Sequence, residues 1–289
     1  VRGIATKSLK IARDEAEDIL LLDTPMEYLC GPWFGFFARD QFFLFKNCDK
    51  ENPYDLINMK GGKTINRLTV EFHKPFRGQE GPSSEGQEEA RARFFVDVYH
   101  SREKLNCVFF YSIKNTSTVT LESTRIYNLF DFDINGLRSY NSDYAYFDDR
   151  FQAIVQHDTN VHVGFCSLEP FPATHHSGGH PYELKIDGKH PDLDDRILEG
   201  PDDFFSGLEW VLGDMQPGET RILPVILAAG ESQEEFEENL QDGITKAASL
   251  FPELPGLINV PERQKKIKEE DVMKMNATLK STAKKEEEC

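Results

Sequence analysis

Between Thr64 and Ala229 apolar and polar side chains alternate with period two, and no helical stretch separates the repeats; this feature most restricts the fold. Leu68, Val70 and Phe72 alternate with Thr69, Glu71 and His73. Phe94, Val96 and Val98 follow the same rule, as do Leu105, Cys107, Phe109, Tyr111 and Ile113. Successive side chains of a strand point to opposite faces, so each run reads as a strand with one buried and one wet face. A parallel doubly wound sheet would need a helix between consecutive strands, and none is written there. The expected fold is mainly β: a large two-sheet antiparallel β-sandwich of about ten strands with a helix near each end.

Val119 to Ile134 extends this pattern, with Ile126, Phe130, Phe132 and Ile134 on one side and Tyr127, Asp131 and Asp133 on the other. Gln152–Gln156 and Val161–Ser167 read as further strands. Leu208–Leu212 and Arg221–Ala229 read as a hairpin-like pair around Gln216-Pro-Gly-Glu219, where Pro and Gly set a tight turn. Leu9, Ala12, Ala16, Ile19 and Leu20 recur at three- and four-residue steps and predict an amphipathic helix over Ser8 to Asp23. Ser232-Gln-Glu-Glu235 is a capping box, from which Phe236, Leu240, Ile244 and Ala248 continue a helix to about Ser249. The expected domains are an N-terminal helical segment over 1–30, a sandwich over 31–250 and a charged helical tail or linker over 251–289. Gly78 to Glu89 has no apolar side chain and reads as a mobile hairpin loop. Residues 168–204, rich in Pro, His, Gly and Asp, form a long excursion of the kind that is functional or disordered.

Charge narrows the partners. Lys and Arg number 33 against 50 Asp and Glu, a formal net charge of −17, which repels phosphate backbones and anionic membranes. The longest apolar runs, Ile19–Leu22 and Val225–Ala229, fall far short of the roughly 18 residues of a membrane span. Cys30, Cys48, Cys107, Cys166 and Cys289 are odd in number and widely spaced, with no C-x-x-C pair, which argues against a disulfide framework or a zinc site. Reduced core cysteines fit a cytoplasmic chain, and Val1 to Asp23 is too charged for a signal peptide. A start without Met leaves room for processing from a longer precursor, and with it for an extracellular setting.

Three groups of residues are candidates for chemistry. Asp131-Phe-Asp133-Ile-Asn135-Gly136 matches the opening of a calcium loop, with oxygens at positions one, three and five and Gly at six. The twelfth position, which should be Glu, is Ser142, and Asp143 lies one residue late. The same residues also read as the outward positions of a strand followed by an Asn-Gly turn, and Asp148 and Asp149 would complete an acidic cluster only if the loop folds back. His175, His176 and His180 offer imidazoles for a transition metal, though Gly178 and Gly179 break any helix between them. Tyr140, Tyr144 and Tyr146, in an acid-rich loop, are the expected ligand-binding platform; Trp210 alternates with Leu208 and Leu212 and belongs to the core. No Gly-x-Ser-x-Gly turn, phosphate loop or Gly-x-Gly-x-x-Gly is present.

The stretches Tyr127–Asp133, Ala153–Ser167 and Leu208-Glu-Trp-Val-Leu-Gly-Asp-Met-Gln-Pro-Gly-Glu219, the last leading to Ala228-Ala-Gly-Glu-Ser232, resemble the galactose-mutarotase-like sandwiches. That class includes the N-terminal domain of archaeal and bacterial glucoamylases. The resemblance covers roughly residues 64–250 and implies the fold and an association with glycans. In those enzymes the hydrolytic carboxylates belong to a separate helical barrel, so no catalytic residue carries over. The expected function is a non-catalytic module that binds carbohydrate or positions a partner protein. The alternative is a structural or assembly protein, possible as a homo-oligomer, with interfaces formed by the tail and by the aromatic segment of Trp33, Phe34, Phe36, Phe37, Phe42, Phe43 and Phe45. A third reading is a sugar-acting enzyme using acids of 131–149 and 168–204.

Overall fold

The computed structural model describes residues 9–12, 18–22, 30–46, 54–61, 65–76, 89–100, 104–134, 141–169 and 171–250. Of the mobile loop expected at 78–89 all but Glu89, which opens a strand, lies outside the described residues, as do Asn135, Tyr140 and the expected tail over 251–289. Strands β1 (Leu9–Ala12) and β2 (Asp18–Leu22) pair antiparallel, with Ile11 opposite Ile19. They replace the helix expected over Ser8 to Asp23. A short apolar run such as Ile19–Leu22 satisfies both periods, and here strand pairing wins.

Two antiparallel sheets form the body. The larger has eight strands, β5 (Tyr54–Gly61), β6 (Ile65–Pro75), β7 (Glu89–His100), β8 (Asn106–Asn115), β10 (Tyr144–Asp148), β11 (Ala153–Asp158), β12 (Val161–Ser167) and β15 (Thr220–Gly230). The smaller holds β3 (Cys30–Ala38), β4 (Gln41–Phe45), β9 (Leu121–Asp131), β13 (His175–Gly179) and β14 (Phe205–Met215). Their spatial orders are β10-β11-β12-β15-β8-β7-β6-β5 and β13-β14-β9-β3-β4. Ten strands, β6 to β15, fall between Ile65 and Gly230, which is the mainly β, two-sheet antiparallel architecture anticipated.

Alternate rings of the aromatic segment, led by Phe34, lie between the sheets, while Trp33 faces the other way. Trp33, Phe34, Phe36, Phe43 and Phe45 are buried, and Phe34 stacks on Phe45 at 4.7 Å and on Phe94 of the opposite sheet at 4.9 Å. Phe37 and Phe42, half-buried, stack on each other at 5.0 Å. Used up as core, these rings do not offer the exposed subunit interface that the assembly reading required. The hairpin joining β3 to β4 turns on Arg39 and Asp40, both in the left-handed region at φ of 50° and 60°, as a two-residue turn of this hand requires.

Gln216–Glu219 is a tight turn, with Gly218 at φ 83° and the Glu219 N–H donating to the Gln216 carbonyl at 3.0 Å. It does not close a hairpin, however: β14 belongs to the smaller sheet and β15 to the larger. The β8 to β9 connection crosses between the sheets in the same way. Asn115 ties the two crossings together, its amide donating to the carbonyls of Val119 at 2.8 Å and Met215 at 2.9 Å.

Helix α1 (Gln233–Leu250) packs on β15, β8 and β12. Ser232 Oγ accepts the Glu235 N–H at 3.1 Å, while the Glu235 carboxylate reaches back to the Glu231 N–H at 2.9 Å. Its buried stripe is Phe236, Asn239, Leu240, Gly243 and Ala247, one position off the expected Ile244 and Ala248. Gly243 permits the close approach: a Cβ there would meet Ile226 Cγ2 at 2.5 Å. Because α1 covers this face, Asn106, Val108 and Phe110 of β8 are buried, and Phe109 is only half-buried.

Candidate functional site

The polar-looking side of β9 does not face water. Tyr127 and Leu129 pack with Trp33, Leu193 and Phe205 in a cluster that Leu184 and Ile186 adjoin, so the 168–204 excursion covers the outer face of the smaller sheet. Beneath that cover the Arg125 guanidinium approaches Glu209 at 3.5 Å and Asp192 at 3.2 Å, and Glu209 accepts the Leu193 N–H at 2.8 Å. Glu209 is fully buried, and burial pushes its carboxyl up to about 7 against the opposing pull of the Leu193 amide and Arg125. Neither residue was singled out from sequence, since both occupy alternating polar positions of strands.

At the far end of β9 an acidic pocket gathers from distant segments. Asp131 ends β9, Asp133 follows it by two residues, and Asp203 precedes β14 by two. Because Phe205 pairs with Asp131, the continued register sets Asp203 opposite Asp133. One carboxylate oxygen from each of the three lies within 4.8 Å of the others. Burial, then the charges of Asp203 and Asp133, push Asp131 up to about 8. Burial also raises Asp203, with His180 acting in the opposite sense.

Asp143, just before β10, pairs with Asp202 through an isolated bridge and stands outside the trio that meets. It is 1% exposed, and no donor reaches either carboxylate oxygen with hydrogen-bond geometry. Burial pushes it up to about 8; the Ile134 amide opposes the shift, and Asp158, Asp133 and Asp131 add to it. Of the residues expected to complete a calcium loop, Asp133 and Asp131 are brought together. Asp148 is instead bound by Arg150 at 2.6 Å, and Asp149 is exposed. The partner that does converge, Asp203, carried no local signal, because fold topology rather than loop spacing delivers it.

The histidines separate. His175 Nδ1 lies 2.8 Å from Asp195, while His176 stacks on Phe147 at 4.2 Å and lies 3.7 Å from the same carboxylate. His180 sits on the following turn, where its Nδ1 accepts the Tyr182 N–H. Among the described residues the aspartate trio is the group of three metal-ligating side chains that meets.

Tyr144 and Tyr146 belong to strand β10, not to a loop. Their register puts them on the outer face of the larger sheet, where Tyr144 stacks on His157 at 5.4 Å and His157 on His162 at 5.0 Å. Tyr146 meets the same His157 edge to face at 5.9 Å. Three large hydrophobics are exposed among the described residues, namely Tyr144 at 41%, Tyr182 at 81% and Leu198 at 39%. All three border the acidic end. Tyr144 follows Asp143 directly, and Tyr182 stacks on His180, whose charge acts on Asp203. The Leu198 N–H bonds the Gly178 carbonyl at 2.9 Å in the strand that leads to His180.

No protein-family model matches the chain, and no curated protein sequence does. Among solved structures it is similar to a bacterial glucoamylase complexed with acarbose, with a TM-score of 0.51 and 12% identity over 83% of this chain and 32% of that one. It is also similar to a polysaccharide lyase, with a TM-score of 0.46 and 11% identity over 84% of this chain and 33% of that one. A third match is a galactose mutarotase-like protein from Clostridium acetobutylicum, with a TM-score of 0.40 and 9% identity over 73% of this chain and 86% of that one. The chain thus spans about a third of the length of the first two. The likeness to the glucoamylase, at 12% identity, is one of fold alone.

Proposed function

We propose that this chain is a non-catalytic β-sandwich module that binds carbohydrate at its acidic end, beside a partner that carries the chemistry. The observation that carries the reading is that Tyr144 and Tyr182, two of the three exposed large hydrophobics of the described residues, lie close in the chain or by ring contact to the acidic end, Tyr144 next to Asp143 and Tyr182 stacked on His180, whose charge acts on Asp203. A sugar presents C–H faces that stack on aromatic rings and hydroxyls that donate to carboxylate oxygens, so this pairing of surfaces suits it. The first structural match, a glucoamylase holding acarbose, supports the association with glycans. The non-catalytic role is supported by Glu209, which is fully buried and engaged by the cover rather than facing a bound substrate. Calcium is the ion we propose for the carboxylates. Free Cys107 and Cys166 favour a reducing, cytoplasmic setting.

A glycan array followed by calorimetry tests the reading. Saturable binding to at least one glycan class is expected, and Tyr144→Ala and Tyr182→Ala should each weaken it by roughly tenfold. Absence of binding across the array, or binding indifferent to both substitutions, refutes the carbohydrate site. Release of reducing sugar by the chain alone, abolished by one carboxylate substitution, would refute the non-catalytic role.

A further inference from the structure

The outer face of the smaller sheet carries one row of side chains across four strands. Trp33 is the register partner of Tyr127, Tyr127 of Glu209, and Glu209 of His175, so an indole, a phenol, a carboxyl and an imidazole stand in line from β3 to β13. A thin part of the excursion, residues 190–196, passes over the row. Leu193 is its one buried residue, seated among Trp33, Tyr127, Leu129 and Phe205, while Asp192, Asp194 and Asp195 are exposed. Backbone bonds fix both ends. Asp187 and His190 exchange hydrogen bonds at 3.0 and 3.2 Å, and Arg196 and Leu198 each bond Gly178 of β13 at 2.9 Å.

Between those ends the segment is held by side chains of the sheet. The Tyr127 hydroxyl donates to the Pro191 carbonyl, Arg125 meets Asp192 at 3.2 Å, Ser177 donates to Asp194 at 2.6 Å and His175 meets Asp195 at 2.8 Å. The Leu193 N–H donates to Glu209 at 2.8 Å. Of the carboxylates in these contacts Glu209 alone is fully buried. Arg125 and Tyr127 of β9, His175 of β13, and Asp192 and the Leu193 amide of the segment face it. None of them neutralises it fully: Arg125 is shared with Asp192 and the Ser123 hydroxyl and stands 3.5 Å from Glu209, and His175 is engaged by Asp195. A proton answers the burial that these partners do not.

We propose that residues 190–196 form a pH-dependent strap, closed while Glu209 is protonated and released from the row of Trp33, Tyr127, Glu209 and His175 as that carboxyl ionises. The strap lies apart from the acidic end and does not rest on the carbohydrate reading. Under it the carboxyl titrates at about 7; released into water it returns toward the ordinary 4.5. Between those values the closed form keeps a proton that the open form has lost, so rising pH favours opening by roughly tenfold per unit. With a single apolar anchor and fixed ends, the segment can lift without unfolding the sheet. Access of any partner to the row then depends on pH.

Hydrogen exchange of the Leu193 amide in the full chain, corrected for its intrinsic rate and followed from pH 4.5 to 7 with and without dilute urea, tests the strap. Its protection should fall about tenfold per unit of pH and be insensitive to urea, while the β8–β15 ladder stays better protected and responds to urea. Glu209→Gln keeps an acceptor for the Leu193 N–H but cannot ionise, and should abolish the slope. Leu193→Ala should lower protection at that position by about tenfold or more at every pH and keep the slope. Equal protection at both ends of the pH range, or a slope that survives Glu209→Gln, removes Glu209 as the latch and overturns the proposal. Protection that matches the β8–β15 ladder in size and urea response means that the segment leaves only on global unfolding, and no strap exists. Leu193→Ala as protected as the wild type would likewise refute the anchor.

Discussion

The two outer faces of the sandwich are covered in different ways. Over the larger sheet lies α1, a regular helix whose buried stripe is apolar or neutral, with Phe236, Leu240 and Ala247 buried and the Asn239 amide donating to the Ala229 carbonyl at 2.8 Å, while its charged contacts, such as Glu237 to Arg150, stay at the exposed rim. Over the smaller sheet lies the irregular 168–204 excursion, which traps Arg125 and Glu209 beneath Leu193 and leaves Glu209 Oε1 without a hydrogen-bond donor. A helix satisfies its own backbone and can present a purely apolar stripe. An excursion has to bond its backbone to whatever it covers, so it draws charged side chains inward. Carboxylates that burial raises, such as Glu209, Asp131 and Asp203, therefore gather under one cover and at its margin.

Four substitutions can break or sharpen that contrast. Arg125→Ala strands Glu209 and Asp192 and should cost about 3–5 kcal/mol in urea denaturation at pH 8, whereas replacing both Arg125 and Glu209 by apolar residues should come near to neutral. Glu209 gives the next largest effect. Its folded value of about 7 exceeds the ordinary 4.5, so between those values the folded chain keeps a proton that the unfolded chain has lost. Stability should fall by roughly 3 kcal/mol as pH rises through that window, and Glu209→Gln should flatten the slope. Under the helical cover, Gly243→Val should cost about 2 kcal/mol by forcing α1 off Ile226. Ser232→Ala, which removes the cap, should cost about 1 kcal/mol. If the substitutions under α1 outweighed those under the excursion, or if stability did not depend on pH between 4.5 and 7, the contrast would be lost.

Legibility followed the same divide. Strands β6 to β9, β11, β12, β14 and β15 announce themselves by period two, and α1 by Ser232 and Glu235, because these signals are local. The β10 strand was hidden by its acidic neighbours and its length of five residues. The turn at Arg39-Asp40 lacks the Asn or Gly that usually marks a left-handed pair. In the candidate site Asp131 and Asp133 were readable from their spacing and Tyr144 and Tyr146 from their aromatic character. Asp203 was not, since it reaches Asp131 through a strand register that depends on the smaller sheet. Arg125 and Glu209 looked like ordinary solvent-facing residues, because nothing in a strand's own sequence tells what will be laid over it.

The position of β15 has a consequence for how the chain is made. Although it is the last strand in sequence, it lies between β12 and β8, in the interior of the eight-stranded sheet. Until Thr220 to Gly230 emerges during synthesis, β10-β11-β12 and β5-β6-β7-β8 are two separate ribbons, each with an open edge. Those edges are templates for pairing with other chains, and β15 removes both in one step, forming ladders from His162 to Ser167 and from Asn106 to Lys114. Completion of the sheet therefore waits for the C-terminal third, and a nascent chain stalled before Thr220 should be prone to aggregate.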